Sequence, residues 1–314
     1  MKKVLAACLL IVIGGLGACA GTSEPPQTAP AAAAPAPPSP SLPPVSGLGC
    51  LPGGDFLAVT DVKNETKNDP KNPGGLPPLM RVHPSEKGFT WEPVKVLWPD
   101  PDGAPNDLES VAAVPGTDSF LIVESSYRES RFGRILRVMG DGRLLGFTSL
   151  IEPVTNVEGT AVAKVGERLV FLDAERGEDQ ADTRLRWFAL GLEPLTLGQP
   201  RSTELRLPEP AGTHHRHVSA LEVDGQGRIF AASTLDPGDP GPFRSIVWEI
   251  GKVEESAGQP AVTLLPQPRR LATIDGFKVE ALAACPAAGG KERLFIGTDD
   301  EDYGGAIRPL PDTP

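Results

Sequence analysis

The sequence predicts an all-β fold, a β-propeller of five blades, and three observations carry that expectation. Gly and Pro are plentiful, at 35 residues each in a chain of 314, and long amphipathic helical patterns are absent. Short apolar runs alternate with turn residues, the pattern of small antiparallel strands. Finally, one two-strand motif recurs five times at a period that suits propeller blades.

Each copy opens with an apolar residue, then Glu or Ser, then a small residue. The five openings are Val45-Ser46-Gly47, Leu108-Glu109-Ser110, Val157-Glu158-Gly159, Val218-Ser219-Ala220 and Val279-Glu280-Ala281. A Gly-containing turn and a second apolar run with a polar end follow. The four runs Phe56–Asp61, Phe120–Glu124, Leu169–Asp173 and Ile229–Thr234 end 15 positions after the opening Ser or Glu. In the fifth copy, Leu294–Asp299, Thr298 lies 18 positions after Glu280, because the intervening turn is longer. A third apolar run appears in every copy, such as Leu79–Val82 and Ile246–Ile250, and fourth runs in some, such as Pro93–Trp98 and Leu205–Leu207. The starts at 45, 108, 157, 218 and 279 leave no third motif on which to split off a sixth blade.

In antiparallel neighbours the start of one strand lies beside the end of the next. One rim is therefore expected to collect Asp61, Glu109, Glu124, Glu158, Asp173, Glu280 and Asp299, with Ser46, Ser219, Thr234 and Thr298 in the remaining places. Two carboxylates about 6 Å apart repel by roughly 3 kcal/mol at an effective dielectric near 20, so such a rim needs positive charge. A hard cation bound by oxygen would supply it and would suit calcium. Arg128, Arg131, Arg176 and Arg244 are a second source. The run His214-His215-Arg216-His217 is a third, and His214, His215 and His217 with carboxylates would suit zinc or manganese. The competing expectation is structural: acids that accept loop N–H groups or pair with arginines between blades, and a histidine run in a solvated loop.

The first residues read Met1-Lys2-Lys3, an apolar run from Val4 to Leu16, then Gly17-Ala18-Cys19. This has the layout of a secretory signal and is too short for a spanning helix. Leu16-Gly17-Ala18-Cys19 resembles the lipobox of bacterial lipoproteins. The resemblance implies a signal peptide over 1–18, acylation of Cys19 and a lipid bilayer as partner. Ala20, standing where aspartate would favour the inner membrane, points to the outer membrane, facing periplasm or surface. Residues 19–44 are rich in Pro and Ala and almost uncharged, a composition that cannot offset its ordering entropy and serves as an extended tether. The propeller is expected over 45–314, and its cation-poor balance, −11 for the chain, excludes nucleic acid as a partner.

Asp107-Leu108-Glu109-Ser110-Val111-Ala112, Asn156-Val157-Glu158-Gly159 and His217-Val218-Ser219-Ala220-Leu221 resemble motifs of bacterial propellers of the esterase-like phytase and SdiA-regulated type. Gly297-Thr298-Asp299-Asp300-Glu301 looks like the acidic strand ends of that group. The resemblance implies the propeller fold and a calcium site; Ser110 and Ala281 stand for its usual glycine, and Ser219 for its acid.

Cys50 and Cys285 end the first strands of the first and last copies, which are neighbours in a closed ring, so a disulfide there would clasp it. Cys50 lies four positions after Ser46 and Cys285 five after Glu280, a difference of parity that sets the side chains on different strand faces. Three functions stay open. One is a ligand-binding scaffold with calcium on its acidic rim, for an unknown small molecule or envelope ligand. Another is a calcium-assisted phosphoesterase or esterase, with Glu109, Glu158 and Glu280 as ligands and His215 or His217 as proton shuttle. The third is a purely structural envelope protein. No Gly-x-Ser-x-Gly elbow is present, which speaks against serine chemistry.

Overall fold

The computed structural model describes residues 42–61, 75–85, 88–98, 107–127, 132–151, 156–177, 183–208, 210, 213–287 and 291–311. The signal segment, Cys19 and nearly all of the Pro/Ala-rich segment lie outside them. Among the described residues no helix is long and apolar enough to cross a membrane.

Five antiparallel sheets form the five blades of a propeller. Blade one comprises β1 (Gly47–Cys50), β2 (Phe56–Val59), β3 (Leu79–Ser85) and β4 (Gly88–Pro93). Blade two comprises β5 (Leu108–Ala113), β6 (Ser119–Tyr127), β7 (Phe132–Met139) and β8 (Leu144–Ser149). Blade three comprises β9 (Val157–Val165), β10 (Arg168–Glu175), β11 (Thr183–Leu192), β12 (Leu195–Leu197) and β13 (Arg201–Leu205), the last two sharing the edge of β11. Blade four comprises β14 (His215–Val223), β15 (Arg228–Leu235), β16 (Arg244–Ser256) and β17 (Gln259–Asp275). Blade five has three strands, β18 (Val279–Pro286), β19 (Glu292–Thr298) and β20 (Ile307–Pro309). The outer strand of blade one thus starts before the run expected for it; Val94–Trp98 follows it as coil, with Val96 buried beneath.

Alternation of side chains gives each sheet two apolar faces, and the core is divided accordingly. Five buried clusters among the described residues fill the five gaps between neighbouring blades. Leu48 and Met80 face Ala281 and Ile307 across the gap between blades one and five, whereas Leu57 and Leu79 face Ile122 of blade two. Burial on both faces explains why the second strands read as continuous apolar runs.

Neighbouring blades meet through opposite faces of their sheets, which settles the cysteine parity. Cys50 shares the face of Leu48, and Cys285 that of Ala281 and Ala283, so the two side chains point at each other. They are joined, with their Cα atoms 5.5 Å apart across a sequence separation of 235 residues. Closing a loop of this length contributes about 5.5 kcal/mol in the chain-entropy description. Above the disulfide the same seam is held by the Gly305 N–H donating to Leu42 O and the Val45 N–H donating to Thr298 O.

The small residue after each opening Ser or Glu is a packing requirement. A Cβ placed on Gly47 would stand 2.7 Å from the Ser110 carbonyl carbon, and one on Gly159 would stand 2.7 Å from Leu221 N. Ser110 fits because its hydroxyl bonds the next inner strand, accepting from Thr160 N at 3.1 Å and from Thr160 Oγ1 at 2.8 Å. We expect Gly159→Val to lower the unfolding free energy by about 3 kcal/mol in denaturant titration. Gly146→Val, whose added Cβ has its nearest neighbour at 3.9 Å, should stay within about 0.5 kcal/mol of wild type.

Candidate cation site at the acidic rim

The inner strands β5, β9 and β18 each carry one extra residue near their start, and in each that residue is the glutamate. Leu108 pairs with Glu124 and Ser110 with Val123, leaving Glu109 out of the ladder. Glu158 is left out in the same way between Val157 and Gly159, and Glu280 between Val279 and Ala281. A β-bulge re-aims the side chain of its extra residue. Two positions earlier, Asp107 (φ 66°) and Asn156 (φ 48°) turn the chain in the left-handed region, which short polar side chains tolerate.

These bulges bring acids from successive blades together. Carboxylate oxygens of Asp61, Asp107 and Glu109 lie within 4.8 Å of one another. Glu109 is 8 % exposed and has no hydrogen bond or ion pair among the described residues. Desolvation, then the charges of Glu158, Asp107, Asp61 and Glu280, hold its carboxyl well above the usual carboxylate range. The trio offers only hard oxygen donors, drawn from blades one and two.

Blades three to five carry the compensating charge. Arg216 Nη1 lies 2.8 Å from Glu280 and 4.0 Å from Glu158, while its Nη2 pairs with Asp236. Lys278, almost fully buried, lies 3.2 Å from Glu280 and 3.7 Å from Asp299 and also pairs with Glu301. Arg176 Nη1 lies 3.5 Å from Glu158. Asp299 Oδ1 accepts from Glu301 N at 3.0 Å, opening the 3₁₀ turn Glu301–Tyr303. Desolvation raises Asp299, with Glu280 adding to it and Lys278 opposing. Burial also pushes Glu158 up to about 7, against the pull of Arg176 and Arg216.

The seven acids expected on the rim therefore divide. Asp61, Glu109, Glu158, Glu280 and Asp299 converge; Glu124 and Asp173 stand inside their own blades. Glu124 is fully buried and paired with Arg134. Asp173 receives Arg186 Nε at 2.7 Å and Nη2 at 2.6 Å. The equal spacing concealed unequal turns: five residues separate the pair Cys50–Phe56, six separate Ala113–Phe120, and two separate Val165–Arg168. In blade three the residue level with Asp61 is Arg176, not Asp173.

The other expected groups also separate. Ser46 is buried at the entrance to β1. Ser219 Oγ donates to Val279 O at 2.6 Å and contacts Thr234 Oγ1 at 3.0 Å, a hydroxyl link between blades four and five. Thr298 Oγ1 donates to Asp300 at 2.7 Å. Arg244 pairs with Asp275 at an exposed edge, and Arg128 and Arg131 lie outside the described residues. The histidine run is not a solvated loop: His214 is exposed, but His215 and His217 are buried in β14 with ring centroids 4.4 Å apart. His217 Nδ1 lies 3.1 Å from Leu207 O. Arg216 was expected there as part of the histidine run, whereas Asp107, Asp236 and Lys278 were not among the expected rim groups. Their signal was positional, since Asp107 and Lys278 both stand two places before the bulged acid.

No known family profile matches this chain, and no curated protein matches it either. Among solved structures it is similar to Bacteroides ovatus xyloglucan PUL GH43B, at 10% identity and TM-score 0.48, over 86% of this chain and 52% of that one. The chain spans about half the length of that protein. An exo-1,5-alpha-L-arabinanase from a bovine ruminal metagenomic library is similar at 11% identity and TM-score 0.48, over 85% and 93% of the two chains. The Pseudomonas aeruginosa periplasmic gluconolactonase PpgL is similar at 14% identity and TM-score 0.37, over 77% and 81%.

Two predictions follow from the burial of these charges. Asp173→Leu strands Arg186 and should cost about 3–5 kcal/mol in chemical denaturation, most of it recovered when Arg186→Met is added. Glu158 has a raised folded pKa, so its contribution to stability is complete below the ordinary carboxylate range and is lost as pH rises through about 7. Melting temperatures of Glu158→Gln should accordingly gain on wild type between pH 5 and 8 in EDTA, the windows either side of that value. From these observations the chain is a five-bladed β-propeller whose inner-strand bulges gather acids at one end of its axis.

Proposed function

We propose that this protein is a lipid-anchored extracytoplasmic propeller that binds a hard divalent cation, calcium by preference, on Asp61, Asp107 and Glu109. The observation that carries the reading is the close approach of three carboxylates of blades one and two, one of them buried and unpartnered, while the ion pairs of Arg216 and Lys278 are made with Glu158, Asp236, Glu280, Asp299 and Glu301. All-oxygen donors of adjustable geometry suit calcium. A bound cation would present open positions to an acidic or hydroxylated ligand arriving at that face, in keeping with a binding or scaffold role. Anchoring through acylated Cys19 rests on the lipobox-like sequence, and the outer-membrane address on Ala20. The resemblance of the Asp107–Ala112 segment to the esterase-like phytase group supports the same cation.

A second reading has one observation in its favour. Glu158, held near neutrality beside Arg176 and Arg216, is poised for proton transfer, as a metal-assisted esterase or phosphoesterase requires. Calcium-dependent hydrolysis of p-nitrophenyl acetate or p-nitrophenyl phosphate that disappears in Glu158→Gln would select it.

The test of the first reading is thermal denaturation of the full chain in detergent, with calcium or with EDTA. At a hundredfold excess over Kd, calcium should add about 2.7 kcal/mol. Glu109→Gln should abolish the shift without unfolding the protein. Superimposed curves in calcium and EDTA, or an undiminished shift in Glu109→Gln, would overturn the assignment.

A further inference from the structure

At the end of the molecule remote from the acidic rim, the foot of blade one borders an open cavity of about 400 Å³. The inner strands β1, β5 and β18 start on the rim, and their far ends, Cys50, Ala113 and Pro286, line this cavity. The turn Leu51–Asp55 forms part of its wall but brings little side chain to fill it. Gly53 (φ 91°) and Gly54 (φ 95°) take the left-handed region, and a Cβ on either would meet nothing within 4 Å. A space of this size falls within the range of small-molecule sites, about 300–1,000 Å³.

Its walls are largely apolar. Phe56 and Phe295 meet edge to face at 5.2 Å, in the same cluster as the joined Cys50 and Cys285, and Leu51 and Phe120 form the wall toward blade two. The charged groups in the lining are Asp55 and Asp118, and no cation stands among them. Asp55 is neutralised from outside the cavity, by Arg81 Nε at 2.8 Å and Nη2 at 2.7 Å, with His83 Nδ1 at 3.1 Å. Asp118 is exposed and has neither hydrogen bond nor ion pair among the described residues. Its direction follows from the strand it precedes. Ser119 turns toward blade three: its Oγ contacts Thr117 Oγ1 at 2.8 Å and accepts at 3.1 Å from Arg137 Nε, and Arg137 also donates to Leu192 O. Phe120 turns the other way, onto blade one, where a Cβ on Gly49 would stand 2.9 Å from its ring. Asp118, two places before Phe120, therefore shares the face of Phe120 and of its partner Ala113.

We infer that this cavity binds a small organic cation, an aromatic or short aliphatic amine. Asp118 takes the ammonium group at the mouth, and Phe56, Phe120 and Phe295 take the apolar body. The uncompensated carboxylate sets the sign of the ligand, because an anion of the same shape meets charge of its own sign. The site is independent of the rim and of any cation held there.

NMR titration of the full chain in EDTA at neutral pH, with benzylamine, benzyl alcohol and benzoate as probes, tests this. Benzylamine should bind about five-fold more tightly than the alcohol, the scale of an ion pair within reach of water, and benzoate more weakly than either. Asp118→Asn should remove the preference for the amine and leave the alcohol unchanged. Ala113→Trp, filling the cavity, should abolish the binding of both. Should Ala113→Trp misfold, the methyl resonance of Ala113 in the unsubstituted chain must shift on addition of benzylamine. An amine held by the rim acids instead would survive both substitutions and leave that resonance unmoved, which would overturn the inference. Equal binding of amine and alcohol, or no binding at about 10 mM probe, would overturn it as well.

Discussion

The tight convergence of five inner strands on one axis governs the rest of this structure. Where β1 passes β5, and β9 passes β14, there is no room for even a methyl group, as the distances at Gly47 and Gly159 show. That crowding dictates the small residue in every repeat. It also explains the bulges beside it, because a glutamate in regular register next to the small position would have to enter the same crowded space. Displacing it by one residue swings the carboxylate toward the rim instead. Packing and chemistry are thus coupled at adjacent positions: Glu109 beside Ser110, Glu158 beside Gly159, Glu280 beside Ala281.

The charge pattern follows from that geometry. Five identical modules would have placed five acids in a ring, an arrangement that cannot remain ionised in a dry channel. The chain departs from symmetry instead. Blade four contributes Arg216, blade five contributes Lys278 and blade three Arg176, and these lie among Glu158, Asp236, Glu280 and Asp299. The imbalance is left on blades one and two. A symmetric scaffold with an asymmetric set of charges is a general way to make one site from several equivalent positions.

Much of this was legible in the sequence. The five openings and their apolar followers located the blades, because alternating burial on two faces leaves a repeat that survives divergence. Glu109, Glu158 and Glu280 were legible for the same reason. Glu124 and Asp173 were misplaced because sequence distance counts residues, whereas position along a blade depends on how many of them the turn consumes. Lys278 went unseen as a rim cation because it occurs once, and a search for what repeats overlooks what does not. The cysteine parity was legible, but its meaning needed the knowledge that adjoining sheets meet through opposite faces.

The seam between blades one and five has a mechanical consequence. Chain preceding Leu42 reaches the body at that seam, through the Leu42–Gly305 and Val45–Thr298 hydrogen bonds. Any pull on that end is delivered there first, and it acts on a short row of backbone bonds that open one after another, like a peeled strip. The Cys50–Cys285 link lies beyond them at the other end of β1. It works as a rip-stop, confining the damage to the entrance of the first strand while the ring behind it stays closed.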